Sequence, residues 1–311
     1  GVQTCALPIL PEDEPSFISL PPMWMTLFKV ILVYDHQQKT CTAWARDKDL
    51  INQIPEPLKP EENKSISISV SKIESNMSKE TYLKRVDTIL ESIRNGELYQ
   101  ANLTRKFFGT LKKKPSFFEL FSALCKSSPS PYSSLIKIGE YAVISSTPEQ
   151  FLTVDKKGVA VSRPIKGTSP RFLDNIEADK QSRQALENSE KDKAENLMIV
   201  DLMRNDFSRS CTPGSVKVEE LFKVRSYPTI HHMSSRITGK MSPKQDTLNF
   251  IQNAFPPGSM TGTPKIKAMT LCSDLEKVQR GVYSGAIGWI SGNGACDLSV
   301  VIRSEEHTSE L

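Results

Sequence analysis

Residues 132–162, YSSLIKIGEYAVISSTPEQFLTVDKKGVAVS, decide the fold class. Four short runs, 132–137, 140–145, 151–155 and 158–162, follow one another as strands with no helix between them. Outward in both directions the pattern alternates between strand runs and long helices. Upstream, 29–34 and 40–45 flank Asp35-His36-Gln37-Gln38-Lys39 as strand, turn and strand, and 56–64, rich in proline and charge, reads as a linker loop. A helix begins after Ser78, carries Glu80 in its first turn, repeats Tyr82, Val86, Ile89, Leu90 and Ile93 at helical spacing, and stops at Gly96. Residues 98–108 read as one strand and 115–125 as a short helix. Downstream, 175–203 reads as a single long helix, polar at first and apolar over 197–202. Strands are expected at 216–224 and 230–237, helices at 246–254 and 265–274, and paired strands at 282–290 and 295–302. Strand runs and long helices without regular βαβ alternation predict an α+β fold, with antiparallel sheets flanked by helices.

Composition narrows the function classes. The chain has 311 residues, 38% hydrophobic and 24% charged, with a formal net charge of +4, as expected of an ordinary globular protein. Its lysines are dispersed and not interleaved with aromatics, so no nucleic-acid partner is expected. The longest apolar stretch, 23–33, is broken by Thr26 and Lys29, so no membrane partner is expected either. Six scattered cysteines without a C-x-x-C pair suggest a reduced, cytoplasmic protein without zinc or a disulfide framework. Residues 1–9 and 303–311 resemble translations of a common sequencing adapter read in opposite orientations, and 10–302 is read as authentic.

Three segments carry chemistry. In Ser162-Arg163-Pro164-Ile165-Lys166-Gly167-Thr168-Ser169-Pro170-Arg171, two prolines and a glycine fix an irregular backbone around one lysine. Taken alone it also reads as a turn with a solvated lysine. In 191–206, Glu195 shares a helical face with Met198, Ile199 and Leu202 and is expected along the buried stripe, where a carboxylate needs a cation. That cation is either a basic side chain or a hard metal such as Mg²⁺. In Phe255-Pro256-Pro257-Gly258-Ser259-Met260-Thr261-Gly262-Thr263-Pro264-Lys265, small residues precede a helix, which suits an anion cradle and equally an ordinary capped turn.

The order of Gln100-Ala101-Asn102-Leu103, Ser146-Thr147-Pro148-Glu149, Pro164-Ile165-Lys166-Gly167-Thr168, the Glu195 helix, His231-His232, the 255–265 loop and Gly285-Ala286-Ile287-Gly288 resembles the chorismate-binding enzyme family over about 75–302. The resemblance implies the chorismate-utilising enzyme fold, a catalytic domain over 76–302, and 10–75 as the remnant of an N-terminal portion. It implies displacement of chorismate's 4-hydroxyl with Mg²⁺ as cofactor and Glu195 as metal ligand. Glu149 is then the acid for the departing hydroxyl, and His232 lies near the reacting ring, with His231 structural. Gln100, Thr261, Gly262, Lys265 and Arg303 are expected at the substrate, although Arg303 is equally supplied by the adapter. Water-adding members of the family carry a lysine where this chain has Gln100, and a glutamine cannot act as that base. Lys166 resembles the branch that aminates chorismate to 4-amino-4-deoxychorismate, where this lysine is the nucleophile. In that branch a separate glutamine amidotransferase subunit donates ammonia. The alternatives are anthranilate synthase component I, which carries alanine at that position, and a non-catalytic tryptophan-binding or regulatory fragment. Gln150, Pro257 and Trp289 depart from the family's usual arginine, glycine and tyrosine. The family's second metal carboxylate and its glycine-rich loop are expected beyond residue 302. The polypeptide as written is therefore expected to be inactive and poorly soluble.

Overall fold

The computed structural model describes residues 2–6, 20–55, 68–112 and 115–308. The expected linker at 56–64 lies outside the described residues. The first strands are β1 (Val2–Ala6), β2 (Met23–Leu27), β3 (Val30–Asp35) and β4 (Thr40–Ala45), followed by a helical turn α1 (Lys48–Ile51) and β5 (Glu74–Ser75). Helix α2 (Lys79–Arg94) leads to β6 (Gln100–Ala101), β7 (Phe107–Phe108) and α3 (Phe117–Ser127). Then come β8 (Tyr132–Ile138), β9 (Tyr141–Thr147), β10 (Gln150–Val154), β11 (Val159–Arg163) and β12 (Ile165–Pro170). Helices α4 (Ile176–Asn188) and α5 (Glu190–Ser208) precede β13 (Lys217–Ser226), β14 (Ile230–Lys240) and α6 (Thr247–Ala254). After a 3-10 turn at Gly258–Met260 the chain continues through β15 (Gly262–Thr263), α7 (Lys265–Glu276), β16 (Ala286–Ile290), β17 (Cys296–Val300) and β18 (Ser304–Thr308).

A nine-stranded sheet runs β12-β14-β11-β10-β17-β16-β1-β2, with β13 beside β14, and β18-β9-β8 form a second sheet. The pairings are antiparallel, as the strand runs predicted. The two flanking segments read as adapter translations also pair, β1 with β16 and β2, and β18 with β9. One apolar cluster joins Leu152, Ile237, Leu298 and Val300 of the large sheet to Ile199, Met203 and Phe207 of α5 and Phe250 of α6. Phe207 and Phe250 meet edge to face at 5.1 Å. A second cluster joins Ile136 of β8 and Val143 of β9 to Ile287 of β16 and Val301. The central strands of the large sheet are thus packed between helices and the smaller sheet. Each fully buried Leu, Ile or Phe contributes roughly 1.5–3 kcal/mol of transfer free energy to that layering.

Local signals explain most boundaries. Ser78 caps α2 by accepting from Thr81 N at 3.2 Å, and Gly96 follows with φ +75°. Two expectations fail. The single helix at 175–203 is two helices, because Ser189 leaves helical backbone (φ −68°, ψ 104°) and caps α5 by accepting from Asp192 N. The single strand at 98–108 is reduced to β6 and β7. Between them, backbone N–H groups go to long-range partners: Asn102 N to Thr261 O, Thr104 N to Glu276 Oε1 and Lys106 N to Asn76 Oδ1.

Candidate active site at the junction of β12 and the 255–264 loop

Lys166 follows Pro164 and Ile165 on β12, where the pairing with β14 shifts register between Ile165 and Thr168. That irregularity brings its ammonium to the 3-10 turn, where Nζ donates to Ser259 O at 3.4 Å. Glu149 is buried just before β10, its backbone N–H bonded to Thr147 Oγ1 at 3.2 Å and its carbonyl accepting from Val300 N at 3.0 Å. Burial pushes the Glu149 carboxyl up to about 7; the Ser259 side chain, the Lys166 cation and the Ile165 backbone oppose the rise. A carboxylic acid and an amine therefore face one turn from two directions. Gly167 (φ +94°) allows β12 to lie this close to α4 and α5, since a Cβ there would meet Leu186 Cδ1 of α4 and Asp192 Cβ of α5 at 3.0 Å.

His232 lies on the neighbouring strand, paired with Thr168. One ring nitrogen, Nδ1, contacts Thr168 Oγ1 at 3.0 Å, while Nε2 is buried without a partner. Burial first and the Arg303 cation second hold its pKa down near 4, so the imidazole is neutral at neutral pH. Arg303 itself is exposed, with φ +52°. Gln100 is brought in by β6, which pairs with β15 so that Gln100 faces Thr263 and Ala101 faces Gly262. Gly262 is obligatory there: at φ +144° a Cβ would lie 2.2 Å from Gln100 O. Gln100 Oε1 and Thr263 Oγ1 are buried without partners, like His232 Nε2. Buried polar atoms are rarely left unpaired, so a polar ligand or water is the natural partner for all three. Thr261 is buried, its hydroxyl turned to Gly258 O at 3.4 Å.

Two expected site residues are placed differently. Lys265 does not present its charge to a ligand. Its ammonium donates to Asp206 Oδ2 (2.7 Å), Ala254 O (2.9 Å) and Pro256 O (2.9 Å), which occupies all three N–H groups. It braces the loop from behind, while burial pushes Asp206 up to about 6 against the pull of Lys265. Glu195 is not on the buried stripe of α5, which is formed by Asn196, Ile199, Val200, Met203 and Phe207. The stripe is rotated by one residue, so Glu195 flanks it with its side chain 38% exposed and only a 3.9 Å contact to Lys191.

Neither Ser259 nor Thr168 carries a chemical signal of its own in the sequence; Thr168 meets the imidazole through the β12–β14 register, and Ser259 meets the acid through the 3-10 turn. Arg280 and Asn102 tie the 255–264 loop to the segment after β6; Asn102 stands in the Gln100–Leu103 motif, and Arg280 and Glu276 show in the sequence as an i,i+4 acid–base pair.

Mg²⁺ is usually held by one or two carboxylates together with waters and substrate oxygens. A half-exposed Glu195 with one long contact fits as one such ligand. No group of three or more His, Cys, Asp or Glu side chains occurs among the described residues. The thiols of Cys41, Cys125, Cys211, Cys272 and Cys296 are free. Among the described residues no helix is long and apolar enough to cross a membrane.

Comparison with known proteins bears directly on this arrangement. Residues 8–310 match the chorismate binding enzyme family. Aminodeoxychorismate synthase component 1 of Salmonella typhimurium is 36% identical over 302 residues, which is 95% of this chain. The chain spans 64% of that relative's length. Anthranilate synthase component 1 of Saccharolobus solfataricus is 38% identical over 242 residues, 78% of this chain and 56% of that protein. The crystal structure of anthranilate synthase component I from Streptococcus pneumoniae superposes with a TM-score of 0.85 at 26% identity, covering 98% of this chain and 72% of that one. Fold, motif order and matched length agree: the chain belongs to the chorismate binding enzyme family.

Proposed function

We propose that this chain is the chorismate-aminating component of a two-component synthase, forming 4-amino-4-deoxychorismate with Lys166 as nucleophile. The observation that carries the reading is the meeting of Lys166 and the buried Glu149 at Ser259. The extent of the match to an aminodeoxychorismate synthase component 1 supports it. Lys166, its ammonium proton passed to solvent, attacks C2 of chorismate as the free amine, the ring double bonds shift, and the C4–O bond breaks. Glu149 gives the leaving oxygen its proton, so water departs. A carboxyl whose pKa lies near 7 is matched to that task at neutral pH. Ammonia then attacks C4, the double bonds shift back, the C2–N bond breaks and Lys166 is released. Covalent catalysis of this kind divides one difficult substitution into two easier ones. Neutral His232 offers Nε2 to the ring substituents, and Gln100 offers an amide but no base. Mg²⁺ at Glu195 would hold and polarise the ring carboxylate. Ammonia comes from a glutamine amidotransferase subunit, in keeping with the relative's designation as component 1.

A second reading, anthranilate formation, is favoured by the anthranilate synthase structure at TM-score 0.85. The product separates the two. With the enzyme expressed from its intact gene, chorismate and ammonium salt should give aminodeoxychorismate, and Lys166→Ala should give none. Fluorescent anthranilate as the product, or full activity in Lys166→Ala, would exclude the proposal.

A further inference from the structure

Arg280 lies four residues beyond the end of α7, is buried, and uses every N–H of its guanidinium. Nε donates to Glu276 Oε2 at 2.9 Å and Nη2 to Glu276 Oε1 at 2.7 Å, a bidentate pair. Nη1 donates to Met260 O at 2.8 Å and to Ser284 Oγ at 3.1 Å, and Nη2 also donates to Asn102 O at 2.6 Å. The two carbonyls belong to different walls of the site. Asn102 is two residues beyond Gln100, and Met260 stands between Ser259 and Thr261. The same walls are tied by Asn102 N to Thr261 O (2.9 Å) and Asn102 Nδ2 to Met260 O (3.3 Å). Glu276 closes the network by accepting from Thr104 N at 3.0 Å.

We propose that Arg280 is a positioning residue that fixes the Gln100 strand against the Ser259 turn and so sets the place of Lys166 relative to Glu149. It touches no reacting group; it acts through Met260 and Ser259, whose carbonyl receives Lys166. The catalytic meaning of that placement rests on the function proposed above, whereas the placement itself does not. A buried ion pair adds little stability compared with apolar packing of equal volume, so position is what this one contributes. Lysine cannot replace it, because an ammonium cannot grip a carboxylate with a planar fork while bridging two carbonyls.

The test compares the 311-residue chain with Arg280→Lys and the milder Asn102→Ala, which leaves the Arg280–Glu276 pair intact. First, the rate of modification of Lys166 by an amine-selective acylating reagent is measured by peptide mass spectrometry relative to exposed Lys191. The ratio should change several-fold in Arg280→Lys and in the same direction but less in Asn102→Ala. An unchanged ratio in either folded variant overturns the inference. Second, in the enzyme from its intact gene, kcat should fall by about 10²-fold with little change in KM, and the Glu149 limb of the pH profile should move upward. Loss of thermal stability with kcat and the pH profile unchanged would make Arg280 merely structural and overturn its positioning role. A changed Lys166 ratio in an enzyme that makes no aminodeoxychorismate would uphold the placement and reject the proposed function instead.

Discussion

Lys166 and Lys265 stand in similar sequence settings, each beside proline and glycine in an irregular loop, yet the structure gives them opposite situations. Lys265 makes three short hydrogen bonds, one to a buried carboxylate. Lys166 makes one long contact and faces a buried carboxyl with a raised pKa. The difference teaches that a lysine in a motif is read by what its N–H groups already hold. A saturated ammonium holds the fold together; an unsaturated one beside an acid is free for chemistry.

The sharpest way to break this contrast is to exchange the readouts. Lys166→Ala should abolish aminodeoxychorismate formation while leaving the melting temperature nearly unchanged. Lys265→Met should do the reverse in character, destabilising the fold by about 3–5 kcal/mol because Asp206 is left buried and unpaired. Equal loss of stability in both variants, measured by denaturant unfolding, would erase the distinction. Glu149→Gln should lower kcat by roughly 10²–10⁴-fold. It should also change stability with a definite sign. The native pKa of Glu149 is raised from 4.5 to about 7, so its favourable contribution is complete below pH 4.5 and lost as pH rises through 7. The wild type should therefore lose about 2.5 kcal/mol between pH 5 and pH 8 from this group, a loss that Glu149→Gln removes. A slope that persists undiminished in the variant would mean that Glu149 is not the buried acid described. The smallest effect is expected at Lys191→Ala, within about 0.5 kcal/mol, since an exposed 3.9 Å pair contributes little.

The strands and most helices were legible in the sequence because they depend on local patterning: the hairpin of β3 and β4, the Ser78 cap and the run from β8 to β11 all fall where alternation and turns place them. The site was legible as an order of motifs and less so as geometry. Nothing near Lys265 in the chain signals Asp206, 59 residues earlier. Glu195 was misplaced because a one-residue error in helical phase turns a face by about 100°. The split at Ser189 shows the limit of propensity: a strong capping residue ended one helix and began the next inside a region that is helix-forming throughout.

A covalent bond between Lys166 and the substrate is tested most directly without ammonia. The enzyme from its intact gene is incubated with chorismate alone, quenched in acid and digested, and the peptide carrying Lys166 is weighed. A peptide heavier by chorismate less one water, absent in Glu149→Gln and discharged by added ammonium, is the result predicted. Unmodified Lys166 under conditions where ammonium still yields aminodeoxychorismate would contradict it.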